Sequence, residues 1–154
     1  MPTHLSPGDR APAFSATTGE GSRLSLSDFK GKKNLVLFFY VKDNTPGCTR
    51  EALAFRDAMA RFEDKNTVVV GVSTNSAESH QRFATNNELE FTLLADTDAS
   101  IAEAFGVLKS SGGMAERATF LVDRDGVVRA VWPKVSITGH TGEILEKIEE
   151  LGLA

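Results

Sequence analysis

One cysteine in 154 residues, Cys48, excludes an intrachain disulfide and with it any scaffold built on disulfides. Charge of one sign does not accumulate either. Seventeen Lys and Arg are interspersed with 21 Asp and Glu, for a net charge of −4. Without a basic stripe there is no surface to track phosphates, which argues against nucleic-acid binding. No apolar run approaches the roughly 20 residues of a membrane-spanning helix. The opening MPTHLSPGDR lacks the basic-then-apolar layout of a signal peptide, so no membrane association and a cytoplasmic location are expected. His4, His80 and His140 have neither ligand spacing nor a cysteine pair, so no metal and no cofactor is expected. Internal repeats, linkers and low-complexity segments are missing too.

What is there has an ordinary globular composition, 41% apolar and 25% charged, at a length that suits a single domain over 1–154 with one sizeable core. The most informative stretch is Leu35–Met59. Leu35–Tyr40 is an unbroken apolar run of strand length, rich in Val and Phe. After the polar turn Lys42–Asn44, Thr45-Pro46 reads as a helix start. Thr45 would be the N-cap, and Pro46 would stand where its missing N–H costs nothing. Cys48, Ala52, Phe55, Met59 and Phe62 then recur at helical spacing as one apolar stripe.

Cys48 is therefore expected in the first turn of a helix, just past the carboxyl end of a buried strand. First-turn N–H groups lack intrahelical partners and the helix dipole is positive there. Cysteines so placed have pKa values of roughly 3.5–7.5 against about 8.5 when free, and the thiolate is the nucleophile. The residues alone leave a second reading open, because a free cysteine on an apolar stripe also serves as a small buried hydrophobe.

Along the rest of the chain, residues 1–12 carry three prolines and read as an irregular arm packed on the domain. Ala13–Thr17 and Ser22–Leu26 suggest a small hairpin. Thr67–Ser73 is a second buried strand. Ser76 caps a helix over Ala77–Thr85 that Asn86-Asn87 stops. Phe91–Ala95 is a short strand. Asp98 is expected to cap a helix over Ala99–Phe105, closed by Gly106. Leu108–Ala115 is a loop, Ala118–Val122 and Val127–Trp132 form a hairpin, and Thr141 is expected to cap a last helix carrying Ile144, Ile148 and Leu151. Alternating strands and helices followed by a hairpin and a helix argue an α/β sandwich with a mixed central sheet.

The segment FFYVKDNTPGCTREA (Phe38–Ala52) resembles the active-site signature of the peroxiredoxins, in their bacterioferritin-comigratory (PrxQ) subfamily. So do, in order, PGDRAPAF (Pro7–Phe14), LSDFKGKKNLVLFFY (Leu26–Tyr40), GVST (Gly71–Thr74), RATFLVDRDG (Arg117–Gly126) and Trp132–His140. The resemblance implies a thioredoxin-like fold with an N-terminal hairpin extension. It also implies a thiol peroxidase in which Cys48 attacks hydrogen peroxide or a small organic hydroperoxide. Thr45 would hold the peroxide, and Arg117 would favour the thiolate and the negative charge developing on the departing oxygen. The N–H groups of Gly47 and Cys48 would face that oxygen, and Glu51 matches a family acid that orients the arginine. Without the resemblance, Arg117 reads as a surface charge, Glu51 as an exposed first-turn acid and Trp132 as packing.

Two features, at three positions, depart from the family pattern. Val41 stands where the family usually has a proline over the sulfur; it shields without fixing φ. Leu53 and Ala84 stand where many subfamily members carry a resolving cysteine. A one-Cys cycle is therefore expected, with the Cys48 sulfenic acid reduced by an external thiol such as thioredoxin, glutaredoxin or a small thiol, in a monomer or weak homodimer. A peroxide-sensing module without efficient turnover and an inert thioredoxin-fold binding module are the competing readings.

Overall fold

A computed structural model describes residues 5–109 and 114–154. His4 and residues 110–113 of the expected loop lie outside them. The elements, in order, are β1 (Ser15–Thr18), β2 (Arg23–Ser25), β3 (Asn34–Phe39), α1 (Pro46–Asp64), β4 (Thr67–Ser73) and α2 (Ala77–Asn86). They continue with β5 (Thr92–Ala95), α3 (Ser100–Ala104), β6 (Ala118–Val122), β7 (Val128–Trp132) and α4 (His140–Glu150). The strands form one mixed sheet in the order β2-β1-β5-β4-β3-β6-β7. β3, β4 and β5 run parallel through the centre, and the remaining pairs are antiparallel.

Alternation along β3 explains the layers. Successive side chains of a strand point to opposite faces. Leu35, Leu37 and Phe39 join a core with Ile101 and Ala102 of α3, Phe105 and the N-terminal arm. Val36, Phe38 and Tyr40 join a second core with apolar residues of α1, Phe83 of α2, and Ile144, Leu145 and Ile148 of α4. A strand buried on both faces reads as a continuous apolar run, as this one does. The expected hairpin forms, but it is more than an appendage. Thr17 and Thr18 of β1 pair with Ala95 and Leu94 of β5, which draws it into the main sheet. The arm is pinned as well: Gly8 N–H donates to the Val128 carbonyl (2.7 Å) and Val128 N–H to the Asp9 carbonyl (2.8 Å).

Several local expectations are corrected. The buried stripe of α1 is Cys48, Glu51, Ala52, Phe55, Ala58 and Phe62; Met59 is only half-buried, and Ala58 takes its place. Ser76 caps α2 as expected, accepting from Ser79 N–H at 3.1 Å. Asp98 is not the N-cap of helix α3, although its Oδ1 accepts from Ser100 N–H at 3.1 Å. The N-cap is Ala99, in left-handed conformation (φ 60°), and the buried Asp96 carboxylate accepts from the N–H groups of Ile101 and Ala102 at 2.9 Å each. Thr141 is no cap; α4 begins at His140 behind Gly139 (φ 79°), a turn that glycine adopts without steric cost. No helix among the described residues is long and apolar enough to cross a membrane.

Gly71, in the middle of β4, allows the Phe38 ring to pack across the sheet. A Cβ there would lie 2.8 Å from both Phe38 Cζ and Leu93 Cδ2. Phe38 is stacked on Phe55 with centroids 4.4 Å apart and has nowhere to move. Gly71→Ala is therefore expected to destabilise the fold by about 1–3 kcal/mol, read as a lower denaturation midpoint at unchanged m-value.

Candidate active site

Cys48 lies where strand β3 hands over to helix α1. Thr45 has the extended conformation of an N-cap (φ −82°, ψ 148°), and Pro46 occupies the first helical position. The helical ladder opens with Thr49 N–H donating to the Thr45 carbonyl at 2.9 Å. The N–H groups of Gly47 and Cys48 precede that ladder and belong to the unpaired positive end of the helix. Thr45 does not cap with its side chain, contrary to expectation. Its hydroxyl donates to the Lys42 carbonyl at 2.9 Å and so closes the preceding turn.

Arg117 reaches this turn because of strand pairing. It immediately precedes β6, which runs antiparallel to β3 with Ala118 opposite Phe39. The start of β6 is thereby set beside the end of β3, the end that leads into Cys48. The Arg117 guanidinium then spans two side chains of α1: Nη2 donates to Cys48 Sγ at 3.3 Å and Nη1 to Glu51 Oε1 at 2.8 Å. Cys48 and Glu51 are three residues apart and share a helix face. A Cβ on Gly47 would lie 3.2 Å from Nη2, so the absence of a side chain makes room for the guanidinium. Val41, half-buried, packs against the apolar cluster that contains Cys48. Ile137 approaches Gly47 from the segment before α4.

Glu51 is not the exposed acid that its position suggests. It is 1% exposed, and its Oε2 has no hydrogen-bond partner among the described residues. Burial pushes its carboxyl up to about 7 against the pull of Arg117. Burial works against the charge of Arg117 too, but Glu51 and Cys48 more than offset it and hold the guanidinium above its ordinary value. Cys48 is 1% exposed. The sulfur thus sits in a covered pocket beside a permanent cation and a carboxyl that titrates near neutrality.

A second polar cluster was not foreseen. Tyr40 O–H donates to Asp43 Oδ1 at 2.6 Å, and Ser79 O–H to Asp43 Oδ2 at 2.8 Å. His80 Nδ1 lies 2.8 Å from the same Oδ2, and its Nε2 lies 2.8 Å from the Leu94 carbonyl. Burial would raise the Asp43 carboxyl, but His80, Tyr40 and Ser79 together hold it below its ordinary value. Burial, with Asp43 beside it, holds the Tyr40 phenol well above its own. The one available signal was Tyr40 itself, since a tyrosine closing a buried strand needs a partner for its hydroxyl. Nothing in the letters pointed to a histidine 37 residues from Asp43. His140 packs its ring edge-on to Trp132 at 5.6 Å and places Nε2 2.8 Å from Thr119 Oγ1, and burial lowers its pKa. No group of three His, Cys, Asp or Glu side chains that could hold a metal occurs among the described residues.

The Glu51 carboxyl gives a pH dependence with a definite sign. Its pKa is about 7 folded, against about 4.3 in an unfolded chain. Between those values the native state binds more protons, so stability is full below about 4.3 and falls as pH rises to about 7. Glu51→Gln removes that slope. Its stability relative to the parent is expected to rise across this window and level off above pH 7, measured by urea denaturation at several pH values.

Comparison with known proteins gives the chain its family. Residues 7–131 match the model of the AhpC/TSA family. The chain is 45% identical to a putative peroxiredoxin bcp of Coxiella burnetii, over 92% of this chain and 97% of that protein. It is 41% identical to the peroxiredoxin Bcp of Bacillus subtilis, over 94% and 95%. Among solved structures, peroxidoxin BcpB of Mycobacterium tuberculosis superposes with a TM-score of 0.90 at 31% identity, covering 96% of this chain and 99% of that one. With its seven-stranded thioredoxin-like sheet and these relatives, the chain belongs to the AhpC/TSA family, in its Bcp/PrxQ branch of peroxiredoxins, thiol-dependent peroxidases.

Proposed function

We infer that Cys48 is the peroxide-reactive nucleophile of a one-Cys cycle. The observation that carries this reading is the Arg117 Nη2 contact to Cys48 Sγ at 3.3 Å, in a pocket that excludes bulk water. A guanidinium at hydrogen-bond range favours the thiolate over the thiol. In the reaction the thiolate attacks one peroxide oxygen, an S–O bond forms as the O–O bond breaks, and the electron pair leaves on the distal oxygen. That oxygen takes a proton and departs as water or an alcohol. Arg117 and the first-turn N–H groups of α1 are fixed donors for the charge that builds up, and they need no reorganisation at the moment of reaction.

Thr45 is assigned the peroxide. With its own proton on the Lys42 carbonyl, its oxygen keeps lone pairs to accept from a hydroperoxide O–H. Glu51 holds Arg117 in place through Nη1, Gly47 gives the guanidinium its space, and Val41 covers the sulfur on the loop side.

The sulfenic acid has no partner cysteine, because Leu53 and Ala84 occupy the alternative positions and Cys48 is the only cysteine in the sequence. One external thiol condenses with it, releasing water and leaving a mixed disulfide. A second thiol then attacks that disulfide and regenerates Cys48. Hydrogen peroxide and small organic hydroperoxides are the assigned oxidants. Thioredoxin, glutaredoxin or a small thiol is the reductant, and a monomer or weak homodimer in the cytoplasm is the working form.

Stopped-flow mixing of the reduced protein with hydrogen peroxide is expected to show oxidation far faster than that of free cysteine, and none in Cys48→Ser. Arg117→Ala, which removes one fixed donor, is expected to slow the step about 10²–10³-fold. Oxidation at the rate of free cysteine would refute the assignment. Mass spectrometry after one equivalent of peroxide and excess glutathione is expected to find the mixed disulfide on Cys48.

A further inference from the structure

The proposed cycle makes two demands on Cys48 that its burial sets against each other. A peroxide presents two small oxygen atoms and can meet a sulfur deep in a narrow pocket. A resolving thiol must bring its own sulfur in line with the new S–O bond, carrying a whole side chain or a protein behind it. Cys48 is 1% exposed, so the second step needs the first turn of α1 to swing away from Arg117. What holds that turn shut decides how readily the thiol gets in.

Ahead of Pro46, the turn is entered through residues 41–45. Within that loop, Asp43 carries the ties to the rest of the fold. Its carboxylate takes bonds from Tyr40, Ser79 and His80, and its N–H donates to Asn75 Oδ1 at 3.0 Å. Asn75 Oδ1 also accepts from Ser73 O–H at 2.8 Å, at the end of β4. His80 is itself immobilised. The Leu94 carbonyl can only accept and so takes the Nε2 side of the ring, while Nδ1 lies 2.8 Å from the Asp43 carboxylate. Both side chains are out of solvent, at 1% and 0% exposure. The residue between Asp43 and Thr45 is Asn44, at φ 67°, a left-handed conformation that asparagine tolerates. The hydroxyl of Thr45 closes the turn internally on Lys42 and gives no tie outside the loop.

We propose that Asp43 and His80 are positioning residues for Cys48: a buried clasp between the loop before α1 and helix α2 that keeps the sulfur closed against thiols while leaving it open to peroxide. The clasp rests on the assignment of Cys48 above. It acts through the loop and touches neither peroxide nor sulfur. Weakening it frees Asn44 and Thr45, lets the first turn of α1 open more often, and admits larger reagents without any gain in peroxide reactivity.

The test compares two reagents on the reduced protein: iodoacetamide, which needs the turn open, and hydrogen peroxide, which does not. The thiolate attacks both, so the ratio of their rate constants cancels any change in ionisation. Asp43→Asn keeps the size of the side chain but cannot accept all three bonds. It is expected to raise the ratio at least tenfold, with the peroxide rate constant equal to or below that of the parent. Ser79→Ala removes one bond at the edge of the cluster and is expected to raise the ratio two- to threefold. A ratio unchanged in both variants, with near-ultraviolet circular dichroism showing native packing, overturns the proposal, even if both lower the melting temperature. Should Asp43→Asn fail to fold, the ratio for Ser79→Ala decides alone. Parent protein that reacts with peroxide no faster than free cysteine would refute the assignment of Cys48, and the alkylation rates by themselves would then judge the clasp.

Discussion

The site depends on one guanidinium placed across two side chains of a helix's first turns. Arg117 touches Cys48 with one nitrogen and Glu51 with another, and each contact needs the rest of the fold to be where it is. The antiparallel register of β6 on β3 delivers the arginine to the carboxyl end of the central strand. Proline and threonine start the helix at the right residue, and glycine leaves the gap that the guanidinium occupies. A cation, a sulfur and a carboxyl are thereby closed into a volume from which water is largely excluded, where each charge acts on the others at low dielectric.

The same closure has an energetic cost. A carboxylate buried to 1% exposure is unfavourable unless it is paired, and one oxygen of Glu51 has no hydrogen-bond partner among the described residues. Its carboxyl consequently titrates near 7, while the arginine keeps its charge. The neighbouring Asp43 shows the opposite balance. Three donors converge on it, so burial is more than offset and it stays below the usual carboxylate range. Two buried acids within eight residues of sequence thus differ in charge state because one has a full set of donors and the other has one.

Local patterns were most legible where the signal is local. The apolar runs at β3 and β4, the proline start of α1 and the serine cap of α2 appear in the letters much as they appear in the fold, because each is decided by a few adjacent residues. Helix starts that rely on a more distant group or on backbone conformation were not. Asp98 takes only the Ser100 N–H, and the more distant Asp96 holds the next two, since the left-handed Ala99 turns the chain so that the earlier carboxylate faces those N–H groups. Gly139 precedes α4 by the same kind of reversal, which moved the expected cap at Thr141 inside the helix.

By itself the sequence determined that Cys48 opens a helix behind a buried strand, that it is the one cysteine present, and that the chain alternates strands and helices as an α/β sandwich. Those properties follow from spacing and composition within short windows. Tertiary structure alone decided that Arg117, 69 residues downstream, lies against the sulfur, that Glu51 is buried, and that His80 meets Asp43 behind the loop. Such meetings are set by strand order, register and the packing of helices on a sheet. They depend on how distant segments are folded together, which no window of neighbouring residues contains.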